Sequence, residues 1–256
     1  MIYDLRTILD GWEYEPGKIS VRKIIGRDGR EKIQTRVDLG LLQLETTGRP
    51  DGARPHGCDS LLDYFERRLR EFERRNGDDD GFALTPEECR ELRHETHLLY
   101  QRYLALFVLE EFDGVERDTT RALRAIRFAA QYGEASTDRQ AMEAQRGYVM
   151  MMLTRARAYL ALKSRDFTKA LQRVRDGMDE FTHFDDDECD SPGPDHEAEL
   201  RVLRDLEREI LGQMPEDAPA KLERELAAAL EREDYEQAAR LRDRLALRPS
   251  SAARRD

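Results

Sequence analysis

The chain has 256 residues, long enough to bury a sizeable core in one large domain or a few small ones. Charged residues make up 38% and hydrophobic residues 39%, where ordinary globular chains hold about 25% and about 45–50%; that balance suits long amphipathic helices. A net charge of −11 argues against a chain that grips duplex DNA unaided, since such binding neutralises phosphates with Lys and Arg.

The three cysteines, Cys58, Cys89 and Cys189, are far apart and form no C-x-x-C pair, which argues against a disulfide scaffold or a Cys-rich zinc site. The opening MIYDLRTILDGWEYE has no basic leader followed by an apolar run, and no window approaches the ~18 uninterrupted apolar residues of a membrane span. The expected setting is reducing and cytoplasmic, with no membrane contact.

From Lys18 the sequence alternates. Ile19, Val21 and Ile25 precede a GRDGRE turn, and Ile33, Thr35, Val37, Leu39 and Leu41 follow it at period two, which predicts an antiparallel β-hairpin or a small antiparallel sheet of up to three strands within an N-terminal module, 1–58. Lys18, Arg22, Lys23, Arg27, Arg30, Lys32 and Arg36 run through this module. Placed on one sheet face, they would form an anion- or nucleic-acid-binding surface. The following TTGRPDGARPHG, 46–57, is a loop by its Gly and Pro content; Arg49, Arg54 and His56 offer positive charge there, with a plain connector as the competing expectation.

A helical, repeat-like body is predicted over 59–214. Leu61, Leu62, Phe65, Leu69 and Phe72 recur at helical spacing, and GDDDG ends that helix. Thr85-Pro86-Glu87-Glu88 reads as a capping box, with Thr85 as N-cap and Pro86 at the first helical position. Two turns resemble those of tetratricopeptide-type helical hairpins: RAYLALKSRDFTKALQRVRDG, with Ala158, Ala161 and Ala170, and FDGVERDTTRALRAIRFA, with Ala122 and Ala129. Ala170 and Ala122 lie 48 apart (170 minus 122), against a period of about 34 in true repeats, so antiparallel helix pairs are expected and a regular array is not. THFDDDECDSPGPDHEAE, 182–199, reads as a flexible break.

Chemistry is sparse along this body. Cys89, His94 and His97 fall along one helix, yet zinc would need a distant ligand such as Cys58, His56 or an acid, so surface histidines are expected and no metal. His183, Cys189 and His196 accompany Asp185 to Asp187 in the acidic break without a calcium-loop pattern. Met150, Met151 and Met152 sit in an apolar helix centre and read as core. There is no phosphate-binding Gly-rich loop and no nuclease-type acid cluster, so a non-catalytic chain without a cofactor is expected.

PEDAP, at 215–219, marks a second boundary, and 215–248 reads as a two-helix hairpin with a tail, 249–256, behind it. Charge is balanced here, with seven acids and seven bases between Lys221 and Arg248, so shape carries the signal. Leu222, Leu226 and Leu230 recur every four residues; Asp234 suits an N-cap; Ala238, Leu241 and Leu245 form the second stripe, flanked by Tyr235 and Ala239, with Arg242 beside it. Two helices of this size are marginal alone in water, so their apolar residues should be covered by the body or by another molecule.

This stretch resembles the UVR motif shared by the B and C subunits of the bacterial nucleotide-excision nuclease, also found in some Clp-protease ATPases and in activators of protein arginine kinases. The residues that match are Leu222, Leu226, Ala229, Asp234 to Ala239, Leu241 to Asp243 and Leu245. The resemblance implies an antiparallel helical hairpin for protein contacts, carrying no catalytic residue. A protein adaptor is therefore expected, its partner another UVR-motif protein or a second copy of this chain. Leu222, Leu226, Leu230, Tyr235, Ala238, Leu241 and Leu245 would make the contact, with Arg242 and Asp243 selecting orientation. Excision repair and Clp-type proteolysis are the settings the resemblance implies. The alternative is direct nucleic-acid or anion binding through the basic N-terminal module.

Overall fold

A computed structural model describes residues 4–182, 196–215 and 218–246. The expectations attached to His183, Cys189, Asp185 to Asp187, Glu216, Asp217 and the tail 249–256 lie outside these residues.

After a single helical turn, α1 (Arg6–Leu9), strands β1 (Ser20–Ile25), β2 (Glu31–Val37) and β3 (Gly40–Glu45) form an antiparallel sheet in sequence order. The predicted GRDGRE reversal joins β1 to β2, with Gly29 at φ 75°, a conformation that glycine adopts without a Cβ clash. The period-two run does not continue through Leu39. The chain reverses again where Val37 pairs with Gly40, leaving Leu39 93% exposed at the tip and moving Leu41 into β3. A two-residue turn preserves the alternation of apolar residues in the sequence, so periodicity alone does not reveal the break.

Ile33 and Leu44 face each other across β2 and β3 and are buried in the same core as the helices. The sheet therefore packs as part of the body. On its opposite face lies the N-terminal segment, where Trp12 Nε1 donates to Ser20 Oγ at 2.7 Å and the Arg22 guanidinium sits 4.0 Å from the Trp12 ring.

The body comprises α2 (Leu61–Asn76), α3 (Pro86–Val108), α4 (Phe112–Tyr132), α5 (Ser136–Glu143), α6 (Arg146–Lys163), α7 (Phe167–Thr182) and α8 (Glu197–Gln213). Helix starts follow the local chemistry: Ser60 accepts from the Asp63 N–H to cap α2, and the capping box at Thr85 and Glu88 is formed in both directions. Gly77, at φ 95°, closes α2. α6 is the central helix, packed by α4, α7 and α8. Its residues Val149 to Leu153, including Met150, Met151 and Met152, are all buried, as expected of a helical stretch apolar on every side. Gly177 of α7 allows a close approach here, since a Cβ at that position would lie 2.3 Å from Thr154 Oγ1.

Two buried charged clusters tie the layers together. Arg102 of α3 donates from Nε and Nη2 to the Asp118 carboxylate of α4, at 2.6 and 2.8 Å, and from Nη1 to the Glu45 carbonyl at 3.0 Å. Glu95 of α3 accepts from the Leu61 and Leu62 backbone N–H groups, at 2.8 and 3.3 Å, and from Arg49 at 3.2 Å. Burial pushes the Glu95 carboxyl upward against those donors.

Beyond the body, α9 (Pro219–Glu231) and α10 (Tyr235–Ala246) form a hairpin with a core of its own, built on Leu222, Ala229, Ala238 and Leu241. Ala218 and Ala220, at the start of α9, belong instead to the body core.

Candidate functional site

Three helix-to-helix turns in this chain share one construction. Glu110, Arg165 and Glu233 adopt φ of 56°, 56° and 58° at the ends of α3, α6 and α9. The next residue in each, Glu111, Asp166 or Asp234, returns its backbone N–H to the carbonyl five residues back, of Leu106, Ala161 or Ala229, at 2.8 to 3.0 Å. This is the Schellman closure, which satisfies a carbonyl orphaned at the helix end. Asp166 and Asp234 then cap the following helix through the N–H of Lys169 and Gln237. An aromatic follows immediately: Phe112, Phe167 or Tyr235.

The turn residues Glu110 and Arg165 are 55 apart (165 minus 110). Ala170 of the second hairpin therefore corresponds to Val115 of the first and to Ala238 of the third; the sequence reading that paired Ala170 with Ala122 was out of register. Small residues inside a helix outnumber the single conformational signal at the turn, and a non-Gly residue in the left-handed region carries no mark in the sequence.

Aligned this way, the three hairpins differ in how their turns are covered. In the first, Phe107 and Phe112 pack beneath Tyr159 of α6, with ring centroids 5.7 and 5.0 Å from it. In the second, the equivalent Leu162 and Phe167 pack against the body core. In the third, the equivalent Leu230 and Tyr235 are 51% and 68% exposed. The two apolar positions that neighbouring helices cover in the body stand open at the C-terminal hairpin.

The residues expected to form the docking surface therefore divide. Leu222, Ala238 and Leu241 are buried between α9 and α10, where they hold the hairpin together, and Leu226 and Leu245 are partly buried against them. Leu230 and Tyr235 face outward at the turn, and Arg242 and Asp243 are exposed on α10. The stripe periodicity identified all of these as apolar or flanking, but it did not separate residues that join two helices from those left for something else.

The basic residues of the N-terminal module do not share one face. Arg22 and Lys23 are neighbours on β1 and point to opposite sides. Lys23 pairs with Glu31 and Glu111, Lys32 with Asp28 and Glu45, and Arg30 with Asp28. Arg22 donates to Gln34 and to the Ile8 carbonyl, and Arg36 to the carbonyls of Val37 and Gly40. In the loop, Arg49 pairs with Asp51 and Glu95, Arg54 with Asp59, and the His56 ring stacks on Tyr64 at 3.9 Å. Lys18 pairs with Glu15, while Arg27 is exposed in the first turn. Acidic partners distant in sequence, such as Glu111, account for much of this pairing and are not apparent from local reading.

Cys89 is fully buried, apart from the exposed His94 and His97. Among the described residues no group of three or more His, Cys, Asp or Glu is placed to hold a metal ion, and no helix is long and apolar enough to cross a membrane.

By fold, then, this is a mainly helical protein with a small N-terminal antiparallel sheet and a terminal helical hairpin whose turn is uncovered. That hairpin carries the UVR motif: a family model described as the UvrB/uvrC motif matches residues 220–247. No curated protein and no solved structure matches the chain.

Proposed function

We propose that this chain is a non-catalytic adaptor that recruits a protein partner through the turn of its C-terminal hairpin. The observation that supports this reading most is the exposure of Leu230 and Tyr235 at positions whose counterparts are covered by neighbouring helices in the body. Covering a side chain of this size is worth about 1.5–3 kcal/mol, and an aromatic anchor beside an aliphatic one is a common composition for an interface centre. The partner presents an apolar helix surface to this pair, as Tyr159 does to Phe107 and Phe112. Arg242 and Asp243 lie at the rim, where charges set orientation and encounter more than affinity. A UVR-motif protein or a second copy of this chain fits that description, with excision repair or Clp-type proteolysis as the setting. Direct nucleic-acid binding through the N-terminal module has weaker support, because most of its cations already have acidic or carbonyl partners.

The discriminating variant leaves the hairpin core intact. Leu230→Asp with Tyr235→Asp should abolish recovery of the partner that wild type retains from the native cell, with helical circular dichroism unchanged. Recovery of the same protein by both chains would refute the proposal. Leu241→Asp is the wrong probe, because Leu241 lies inside the hairpin and its loss would unfold the site itself.

A further inference from the structure

The two histidines on α3 that lack metal-ligand company do have company of another kind. Arg90, Arg93, His94 and His97 recur at helical spacing on one face of α3, and this face opens toward Gln145, the residue preceding α6. Together they line a surface pocket of about 510 Å³, to which the described lining contributes no carboxylate.

The two arginine charges in this pocket are held differently. Arg90 is paired with Glu87, their side chains 54% and 66% exposed, and Arg93 lies 3.6 Å from Asp138. The exposed Arg90–Glu87 pair contributes about 0–1 kcal/mol, so an incoming anion exchanges with it at little cost, whereas Asp138 is only 14% exposed and stays beside Arg93, whose guanidinium has further N–H groups to offer a ligand. Gln145 is held at the rim, accepting from Thr96 Oγ1 and donating to the Ala141 carbonyl.

Two guanidinium forks and two imidazoles supply donors from several directions. A carboxylate has two acceptor oxygens and at most one charge, whereas a phosphate presents more of both and matches the guanidinium fork. We infer that this pocket binds the phosphate group of a small ligand, with Arg90 and Arg93 supplying charge and His94 and His97 further hydrogen bonds. The site is independent of the C-terminal hairpin.

The test follows the ring signals of His94 and His97 by NMR in the full chain, at constant pH and ionic strength, while inorganic phosphate or adenosine monophosphate replaces chloride. Saturable shifts are expected with at least one of the two, and Arg90→Ala with Arg93→Ala should weaken that binding by about tenfold or more. Tighter binding of the nucleotide assigns a phosphorylated molecule as the ligand, and tighter binding of the free ion assigns phosphate itself. Shifts that fail to saturate with both probes, or that persist unchanged in the double variant, would overturn the assignment. Arg204→Ala, on α8, serves as the control for lost surface charge and should bind as wild type does.

Discussion

At the scale of single residues, stability concentrates in charges that have left water. Arg102 and Asp118 are both buried and joined by two hydrogen bonds, and Arg102 also holds the end of β3 through the Glu45 carbonyl. Removing one partner strands the other charge, a loss of about 3–5 kcal/mol. Asp118→Ala should therefore lower the denaturation midpoint far more than Arg204→Ala on the surface of α8; similar midpoints would show that Arg102 finds water or another acid. A milder effect belongs to Arg68 and Glu88, which pair across α2 and α3. Burial pushes the Glu88 carboxyl up, but hydrogen bonds from Arg68 and the Thr85 N–H, with the charge of Arg68, outweigh it and hold the group below its ordinary value of 4.5. A carboxyl depressed in the folded state stabilises the protein above that value, and the contribution is lost as pH falls through the folded one. The stability gap between wild type and Arg68→Gln should accordingly be widest near neutrality and narrow in acid, whereas a gap independent of pH would assign the role of Arg68 to packing on Phe65 and Phe82. The pairings distant in the chain were not legible beforehand: Arg68 and Glu88 are separated by 20 residues and meet only in the fold.

Among elements, the sequence was clearest where one residue governs its own neighbourhood. The capping box at Thr85, the glycine-bearing reversal after β1 and the acid cap of Asp234 could each be placed from a few adjacent residues, because side chain and backbone partner lie within one turn. The second reversal, at Asp38 and Leu39, lacks a glycine at its tip, so a third strand could be expected but its turn could not be placed. The shared geometry of the three helix turns was missed for a related reason: Glu110, Arg165 and Glu233 occupy a conformation that favours glycine without being glycine. The left-handed region costs an ordinary L-residue roughly 1–2 kcal/mol, part of which glycine recovers, less its greater freedom in the unfolded chain. Glu233→Gly should therefore raise hairpin stability by about 0.5–1 kcal/mol, measured as slower amide exchange at Asp234 and Ala238, whose N–H groups close the turn. Faster exchange would mean that the Glu233 side chain contributes more than its backbone costs.

For the molecule as a whole, the organisation follows from where apolar surface is and is not shared. Ile33 and Leu44 join the sheet to the helical core, so the N-terminal segment and the body bury their surfaces together. Leu222, Ala229, Ala238 and Leu241 form a separate cluster, and this separation leaves the turn of the last hairpin accessible. Sequence reading anticipated a hairpin with more apolar surface than it can hide, and anticipated the UVR resemblance from the same residues. It did not identify Leu230 and Tyr235 as the exposed remainder, since that depends on which side of each helix meets its partner. The most direct measurement is hydroxyl-radical footprinting of the dilute, monomeric chain, read by mass spectrometry at each tyrosine. Tyr235 should be modified rapidly and the buried Tyr103 barely at all; protection of Tyr235 equal to that of Tyr103 would mean the chain covers its own turn and has no docking surface there.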